Sequence, residues 1–178
     1  MTAQRIHVVG ASGSGTTTLG AALAQAMGVA HQDSDFFFWA PTDPPFTTQR
    51  PQEERLPMLK AALPADESWV ISGSLLSWGR EVEDRFDLMV FLYLDPAIRM
   101  ARSIAREQAR YGDRIAPGGD MHEAHQTFMT WSRGYDDGSN GGRSLASHRL
   151  WLSSLTAPVL EITDAPTVEE SVRRVLAL

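Results

Sequence analysis

The chain of 178 residues contains no cysteine and only one lysine, Lys60, among its 16 basic residues. The lack of cysteine excludes disulfide bonds, thiolate zinc sites and cysteine nucleophiles. No apolar run approaches the roughly 20 residues that a membrane-spanning helix needs, so no membrane association is expected. The basic residues are outnumbered by 22 acidic ones, and the net charge of −6 argues against a broad attraction to nucleic acid.

The composition that remains is that of a globular protein. Hydrophobic residues make up 43% of the chain and charged residues 21%, which fits one domain over residues 1–178 with a well-filled core. The first strand is predicted to start near residue 5, which leaves no room for a signal peptide, so the expected location is the cytoplasm. The sequence leaves the oligomeric state open.

Short apolar segments alternate with helical patterns along the whole chain. Strands are predicted at residues 6–9, 29–32, 69–72, 88–94 and 159–162. Helices are predicted at residues 16–27, 52–63, 96–111, 121–134, 144–155 and 168–176. This alternation predicts a three-layer α/β fold, in which a parallel sheet is covered by helices on both faces. A region with several glycines, about residues 111–142, is interpreted as a helical lid.

A glycine-rich segment joins the first predicted strand to the first predicted helix. It matches the phosphate-binding pattern G-x-x-x-x-G-K-[ST], except that a threonine, Thr16, stands where the lysine is expected. Its glycines let backbone N–H groups converge on a phosphate, and the helix that follows adds the positive end of its dipole. The residues predicted to bind the nucleotide are Gly10, Ala11, Ser12, Gly13, Ser14, Gly15, Thr16, Thr17 and Thr18.

Thr17 occupies the position whose hydroxyl ligates Mg²⁺ in such loops. Thr16 supplies no positive charge for the phosphates, so an active enzyme needs a cation from another element. The helix predicted after the fourth strand carries arginines three and four residues apart, and one more follows it: Arg99, Arg102, Arg106, Arg110 and Arg114. Arg110 and Arg114 are the first candidates, followed by Arg102 and Arg106. The alternative is that the stripe is a solvated helix face.

An acidic and aromatic segment, Asp33 to Trp39, follows the second predicted strand. In an open α/β sheet this position lies beside the phosphate-binding loop. Asp33 and Asp35 are therefore candidates to hold Mg²⁺ or to accept a proton from the acceptor hydroxyl. Phe37 and Trp39 are candidates to contact a flat acceptor ring, although the segment is equally read as an acidic turn and a hydrophobic plug.

With these features, the chain resembles the P-loop nucleoside- and nucleotide-monophosphate kinase superfamily, which has adenylate kinase-like and shikimate kinase-like members. Residues 31–41, 69–74 and 121–135 look like the adenylate kinase-related proteins labelled DNA topology modulation proteins. Residues 13–18 are similar to the loop of archaeal-type cytidylate kinases, which implies that a lysine-free loop can be active. The resemblance implies the strand order 2-3-1-4-5, with ATP and Mg²⁺ as cofactors.

The predicted function is transfer of the γ-phosphoryl group of ATP to a small acceptor. A nucleoside monophosphate or a nucleoside is favoured, with Arg80 as a candidate contact, and a small shikimate-like acid is an alternative. A non-catalytic, regulatory nucleotide-binding module is also consistent, because the loop lacks lysine and Ser72 stands where many of these kinases have a magnesium-associated acid. Ser74 has no partner motif in the sequence that would indicate a serine nucleophile.

Overall fold

The computed structural model describes residues 4–178, which form a five-stranded, all-parallel sheet with the strand order β2-β3-β1-β4-β5. The strands are β1 (Arg5–Gly10), β2 (Ala30–Asp33), β3 (Trp69–Ser72), β4 (Leu88–Leu92) and β5 (Val159–Ile162). The predicted fold class and strand order are confirmed. This order leaves the first strand at the centre of the sheet, so the loop after it opens at the middle of the carboxyl edge.

In the part of the chain that the structure describes, seven α-helices connect and cover the strands. They are α1 (Thr16–Met27), α2 (Ser34–Phe38), α3 (Gln52–Ala62), α4 (Pro96–Tyr111), α5 (His122–Arg133), α6 (Leu145–Ser154) and α7 (Val168–Leu176). Two 3-10 helices span Arg80–Arg85 and Gly112–Ile115. Within residues 4–178, no helix is long and apolar enough to cross a membrane.

The three central strands β1, β3 and β4 are buried on both faces, as a parallel sheet covered by helices requires. Along β1, Ile6 and Val8 belong to one hydrophobic cluster, which also contains Leu23 of α1. Val9 belongs to a second cluster on the opposite face, where Trp151 of α6 packs. The change of side between neighbouring residues follows the two-residue period of a strand.

Helix α2 was not predicted from the sequence. A single side chain caps its first turn. The Asp33 carboxylate accepts a hydrogen bond from the backbone N–H of Asp35 and so caps the helix. A helix of one turn has no hydrophobic period that a sequence pattern can detect, whereas the cap is local chemistry. Asp95 caps α4 in the same way, by accepting from the N–H groups of Ala97 and Ile98.

Candidate active site

The carboxyl ends of the strands open into a cavity of about 2100 Å³. All the residues of the phosphate-binding loop, Gly10 to Thr18, line it. The opposite wall is built from α4 and α5, and the end of β2 contributes the acidic segment. The volume is enough for a nucleotide and a second small molecule together.

The loop takes a conformation that only glycine adopts without strain at two positions. Gly13 has a φ of +82° and Gly15 a φ of +99°. A Cβ on Gly13 would lie 2.4 Å from the carbonyl oxygen of Arg99 and 2.6 Å from the Oγ of Ser103, so the loop packs directly on α4. No side chain caps α1, and its first N–H groups remain open for an anion.

Arg102 lies beside the loop from which the lysine is missing. Its Nη1 atom is 3.8 Å from the place that a Cβ on Gly15 would occupy. Arg106, one turn further along α4, lines the same cavity and lies over the Phe128 ring, 5.9 Å from its centroid. Within residues 4–178 neither arginine forms an ion pair with a carboxylate. Their positive charge therefore faces the cavity.

Arg99, the first arginine of the stripe, has a structural role. Its side chain is only 1% exposed and forms an ion pair of 2.5 Å with Asp136. It also donates to the carbonyl oxygen of Ser132 at 3.1 Å. Arg99 thus joins α4, α5 and the segment after α5 behind the phosphate-binding loop.

Arg110 lines the cavity but is held by an aromatic ring. Its guanidinium lies 4.2 Å from the centroid of Phe46, in the proline-rich loop of residues 40–51. The neighbouring Tyr111 hydroxyl donates to the carbonyl oxygen of Pro45 at 2.9 Å. These contacts fasten the proline-rich loop to the end of α4.

Three residues singled out in the sequence lie outside the cavity lining. Arg114 is paired with Asp120 at 2.7 Å and with Asp43 at 3.3 Å, so its charge is satisfied on the surface. Arg80 is exposed in the 3-10 helix that follows β3. Phe37 is 2% exposed and belongs to the hydrophobic core. The sequence interpretation is therefore corrected at these positions. Arg114 forms surface ion pairs, Arg80 lies on the surface, and Phe37 packs in the core.

The aromatic segment divides because a helix turns successive side chains by about 100°. Phe36, Phe38 and Trp39 line the cavity, whereas Phe37 points into the core between them. Phe36 is 64% exposed, an unusual state for a large apolar ring on the wall of a cleft. A ligand ring can stack there.

Thr17 and Asp33 meet at the end of the loop. The Thr17 hydroxyl donates to the Oδ2 atom of Asp33 at 2.9 Å. A hydroxyl and a carboxylate are the oxygen donors that Mg²⁺ takes beside phosphates, and it keeps several waters. Within residues 4–178 no cluster of three histidine or carboxylate side chains could hold a metal alone. The pair therefore fits Mg²⁺ bound together with a nucleotide.

Asp35 faces the cavity and has a perturbed acidity. The Asp35 side chain is exposed to the cavity, and the reduced solvation between the surrounding walls raises its pKa. The negative charge of Asp33 raises that pKa further. The positive charges of Arg143, Arg106 and Arg110 act in the opposite direction. A carboxylate with a raised pKa is a better proton acceptor than an ordinary one.

Arg143 and Ser74 line the cavity as well, and sequence reasoning missed both as site residues. Arg143 follows a glycine-rich stretch outside any helical period, and its Nε atom is buried without a hydrogen-bond partner. Ser74 is hydrogen-bonded to His148, which is 74 positions away in the chain. No local pattern could have pointed to either residue.

No family model matches the chain. A relative from Bacillus subtilis (strain 168), named Uncharacterized protein YqaC, is 40% identical over 173 residues, which cover 97% of this chain and 96% of the relative. The chain belongs to the YqaC family. The alignment with YqaC runs through nearly the whole of both proteins.

Solved structures show the fold to which the YqaC family belongs. The shikimate kinase from Acinetobacter baumannii in complex with shikimate has a TM-score of 0.55, with 17% identity, over 98% of this chain and 92% of that chain. The gluconokinase from Sinorhizobium meliloti 1021 has a TM-score of 0.50, with 18% identity, over 98% and 90%. This chain therefore has the fold of P-loop small-molecule kinases.

Proposed function

We propose that the protein transfers the γ-phosphoryl group of ATP to a small acceptor. The observation that carries this proposal is a single cavity that unites the phosphate-binding loop with Arg102 and Arg106, which form no ion pair with a carboxylate within residues 4–178. A nucleoside monophosphate or a nucleoside is the first choice of acceptor, since aromatic side chains line the wall beside Asp35. A shikimate-like or gluconate-like acid is the second choice, which the fold neighbours favour.

Each part of the cavity has its own role in the proposed reaction. The backbone N–H groups of residues 10–18 bind the ATP phosphates, and Arg102 supplies the charge that Thr16 does not. Thr17 and Asp33 would hold Mg²⁺, which neutralises phosphate charge when it is bound.

In the transfer step, an acceptor oxygen forms a new bond to the γ-phosphorus as the bond between that phosphorus and the β,γ-bridging oxygen breaks. The acceptor hydroxyl gives its proton to Asp35, whose raised pKa suits this task, and ADP leaves. Arg106 and Arg110 stabilise the charge on the transferred group from α4.

The test is the release of ADP from ATP and Mg²⁺ with a panel of nucleoside monophosphates, nucleosides, shikimate and gluconate. We expect acceptor-dependent ADP with members of one class. If ATP binds measurably but no acceptor increases ADP release, the protein is the alternative, a nucleotide-binding module without turnover. The missing loop lysine and Ser72 at the end of β3 are the features that favour that alternative.

The Arg102→Ala change tests whether α4 supplies the missing cation. Losing one electrostatic donor should lower kcat by about 10²–10³-fold, while Arg133→Ala, an exposed arginine of α5 outside the cavity, should leave kcat unchanged. Adding Thr16→Lys to Arg102→Ala should restore part of the rate, because lysine brings the charge back from the loop itself. Equal rates for Arg102→Ala and the unaltered protein would contradict the compensation.

A further inference from the structure

A buried chain of three side chains ends at the cavity wall. The Tyr135 hydroxyl lies 2.7 Å from the Nδ1 atom of His148, and the Nε2 atom of His148 lies 3.2 Å from the Oγ of Ser74. Tyr135 is 2% exposed and His148 is fully buried, whereas Ser74 lines the cavity. A polar chain of this kind inside a core must assign every proton, because an unpaired buried donor is costly.

The protonation of His148 follows from its surroundings. Burial lowers its pKa to about 3, and the positive charge of Arg143 acts in the same direction. The imidazole is therefore neutral at pH 7 and carries one N–H group. Burial also raises the pKa of Tyr135, so its hydroxyl keeps its proton.

Only one tautomer of His148 lets the Tyr135 hydroxyl donate its proton in a hydrogen bond. His148 Nδ1 is the partner of the Tyr135 hydroxyl, so Nδ1 must accept and the imidazole proton must be on Nε2. Nε2–H then donates to Ser74 Oγ, which also accepts from the backbone N–H of Leu76 at 3.3 Å. Both lone pairs of Ser74 are then engaged, and its own O–H can act only as a donor.

The turn that carries Ser74 is fixed as well. His7 of β1 donates from Nε2 to the carbonyl oxygen of Gly73 at 2.7 Å, and Gly73 N–H donates to the carbonyl oxygen of Val8. Gly73 has a φ of +94°, and a Cβ there would lie 2.1 Å from the Oγ of Ser34. Ser74 is therefore held from β1, α2 and α6, at the carboxyl end of β3.

Arg143 lines the same cavity as Ser74 and, within residues 4–178, forms no ion pair with a carboxylate, although the charge of Asp35 acts on it. The Arg143 guanidinium rests 4.9 Å from the centroid of the Trp131 ring, and its buried Nε has no hydrogen-bond partner. Burial is the largest cause that lowers its pKa, so the charged side chain gains from a nearby anion. An oriented donor and a half-buried cation together suit the oxygens of a phosphate or a carboxylate.

We infer that Ser74 and Arg143 form an oxyanion subsite for the acceptor, with His148 and Tyr135 as positioning residues that aim the Ser74 proton. This inference rests on the proposed phosphoryl transfer and narrows it, because the acceptor must then carry a phosphate or a carboxylate group. A neutral nucleoside lacks such a group, whereas a nucleoside monophosphate and a small acid each have one.

The first measurement needs no variant and no turnover. In ¹⁵N-labelled protein at pH 7, NMR of the histidine side chains should show His148 protonated on Nε2 with Nδ1 bare. The Tyr135→Phe change removes the hydrogen bond to Nδ1 and should move that resonance, which also assigns it. A His148 protonated on Nδ1 in the unaltered protein would overturn the orientation of Ser74.

The second measurement uses inorganic phosphate and acetate as probes, with the phosphate-binding loop filled by MgADP. A saturable shift of the His148 Nε2 resonance with phosphate alone indicates an acceptor with a phosphate group, and with acetate alone a carboxylate. Ser74→Ala and Arg143→Met should each weaken that binding by about tenfold or more, and Arg133→Ala should not. Tyr135→Phe should weaken it too, because the imidazole can then take the proton of Ser74.

No shift with either probe overturns the subsite. The ADP assay still tests the phosphoryl transfer in that case, because it detects ADP release with any acceptor, including neutral nucleosides. An ADP assay that finds neutral nucleosides as good as their monophosphates would likewise overturn the subsite while supporting the transfer.

Discussion

Gly13 occupies the contact between the phosphate-binding loop and α4, where backbone of one element meets backbone of the other. Changing Gly13→Ala should lower the free energy of unfolding by about 2 kcal/mol or more, because a left-handed φ and a contact of 2.4 Å with the Arg99 carbonyl add together. The displaced loop should also lose ATP affinity. Denaturant unfolding and ATP titration measure the two effects.

Gly28 provides the matched control. It also has a left-handed φ, +68°, but a Cβ there meets no atom within 4 Å. Gly28→Ala should therefore cost about 1 kcal/mol and leave ATP binding intact. If both variants lose the same stability and affinity, the close approach at Gly13 is not what constrains the loop.

Single residues were predictable where their role is local and not where it depends on distant partners. The loop glycines and Thr17 follow a motif, and the Thr17 hydroxyl donates to Asp33 across the loop. The ranking of the arginines as sources of the missing cation was not predictable from the sequence. Nothing in their spacing reveals that Arg114 forms ion pairs with Asp120 and Asp43. The distance that favours Arg102 exists only once α4 is packed on the loop.

Helix α4 depends on the cap at its first turn, and Asp95 is the residue to change. Asp95→Ala should cost about 1 kcal/mol of stability, since two N–H groups lose their acceptor. Asp95→Asn keeps a side-chain oxygen and should stay within a few tenths of a kcal/mol. Thermal and denaturant unfolding measure both variants, and a larger loss for asparagine than for alanine would contradict the cap.

Elements with a clear apolar pattern were predicted well, whether they are long helices or short strands. The helices α1, α4 and α7 and the strands β3 and β5 have the predicted bounds, and the fourth strand ends two residues earlier than predicted, at Leu92. Helix α2 and the two 3-10 helices were missed. These three short helices depend on individual caps and on packing, which hydrophobic periodicity does not reveal.

Two buried histidines, His7 in β1 and His148 in α6, should make the stability of the whole molecule depend on pH. Burial lowers their pKa values to about 4 and about 3, below the value near 6.5 of an unfolded chain. Below pH 6.5 the unfolded chain therefore binds protons that the folded protein does not. Stability should be full above pH 6.5 and fall as the pH is lowered towards 4.

The expected slope is about 1.4 kcal/mol per pH unit for each histidine once the pH is well below 6.5. Urea unfolding at pH 7.5, 6 and 5 measures it. The His148→Gln variant should keep about half of the slope from this pair, because His7 remains. A free energy of unfolding that is constant between pH 7 and 5 would show that these histidines are not buried in the neutral form.

The sequence alone determined the class of the molecule: the alternation of apolar and helical segments specifies a parallel sheet, and the glycine-rich pattern predicts a phosphate site at the edge of that sheet. These are local signals, repeated within a few residues. Only the tertiary structure decided which side chains share the cavity, because Arg102, Asp35, Arg143 and Ser74 come from separate elements. Their neighbours are set by packing, and a buried charge or hydroxyl acquires its chemistry from the groups that surround it.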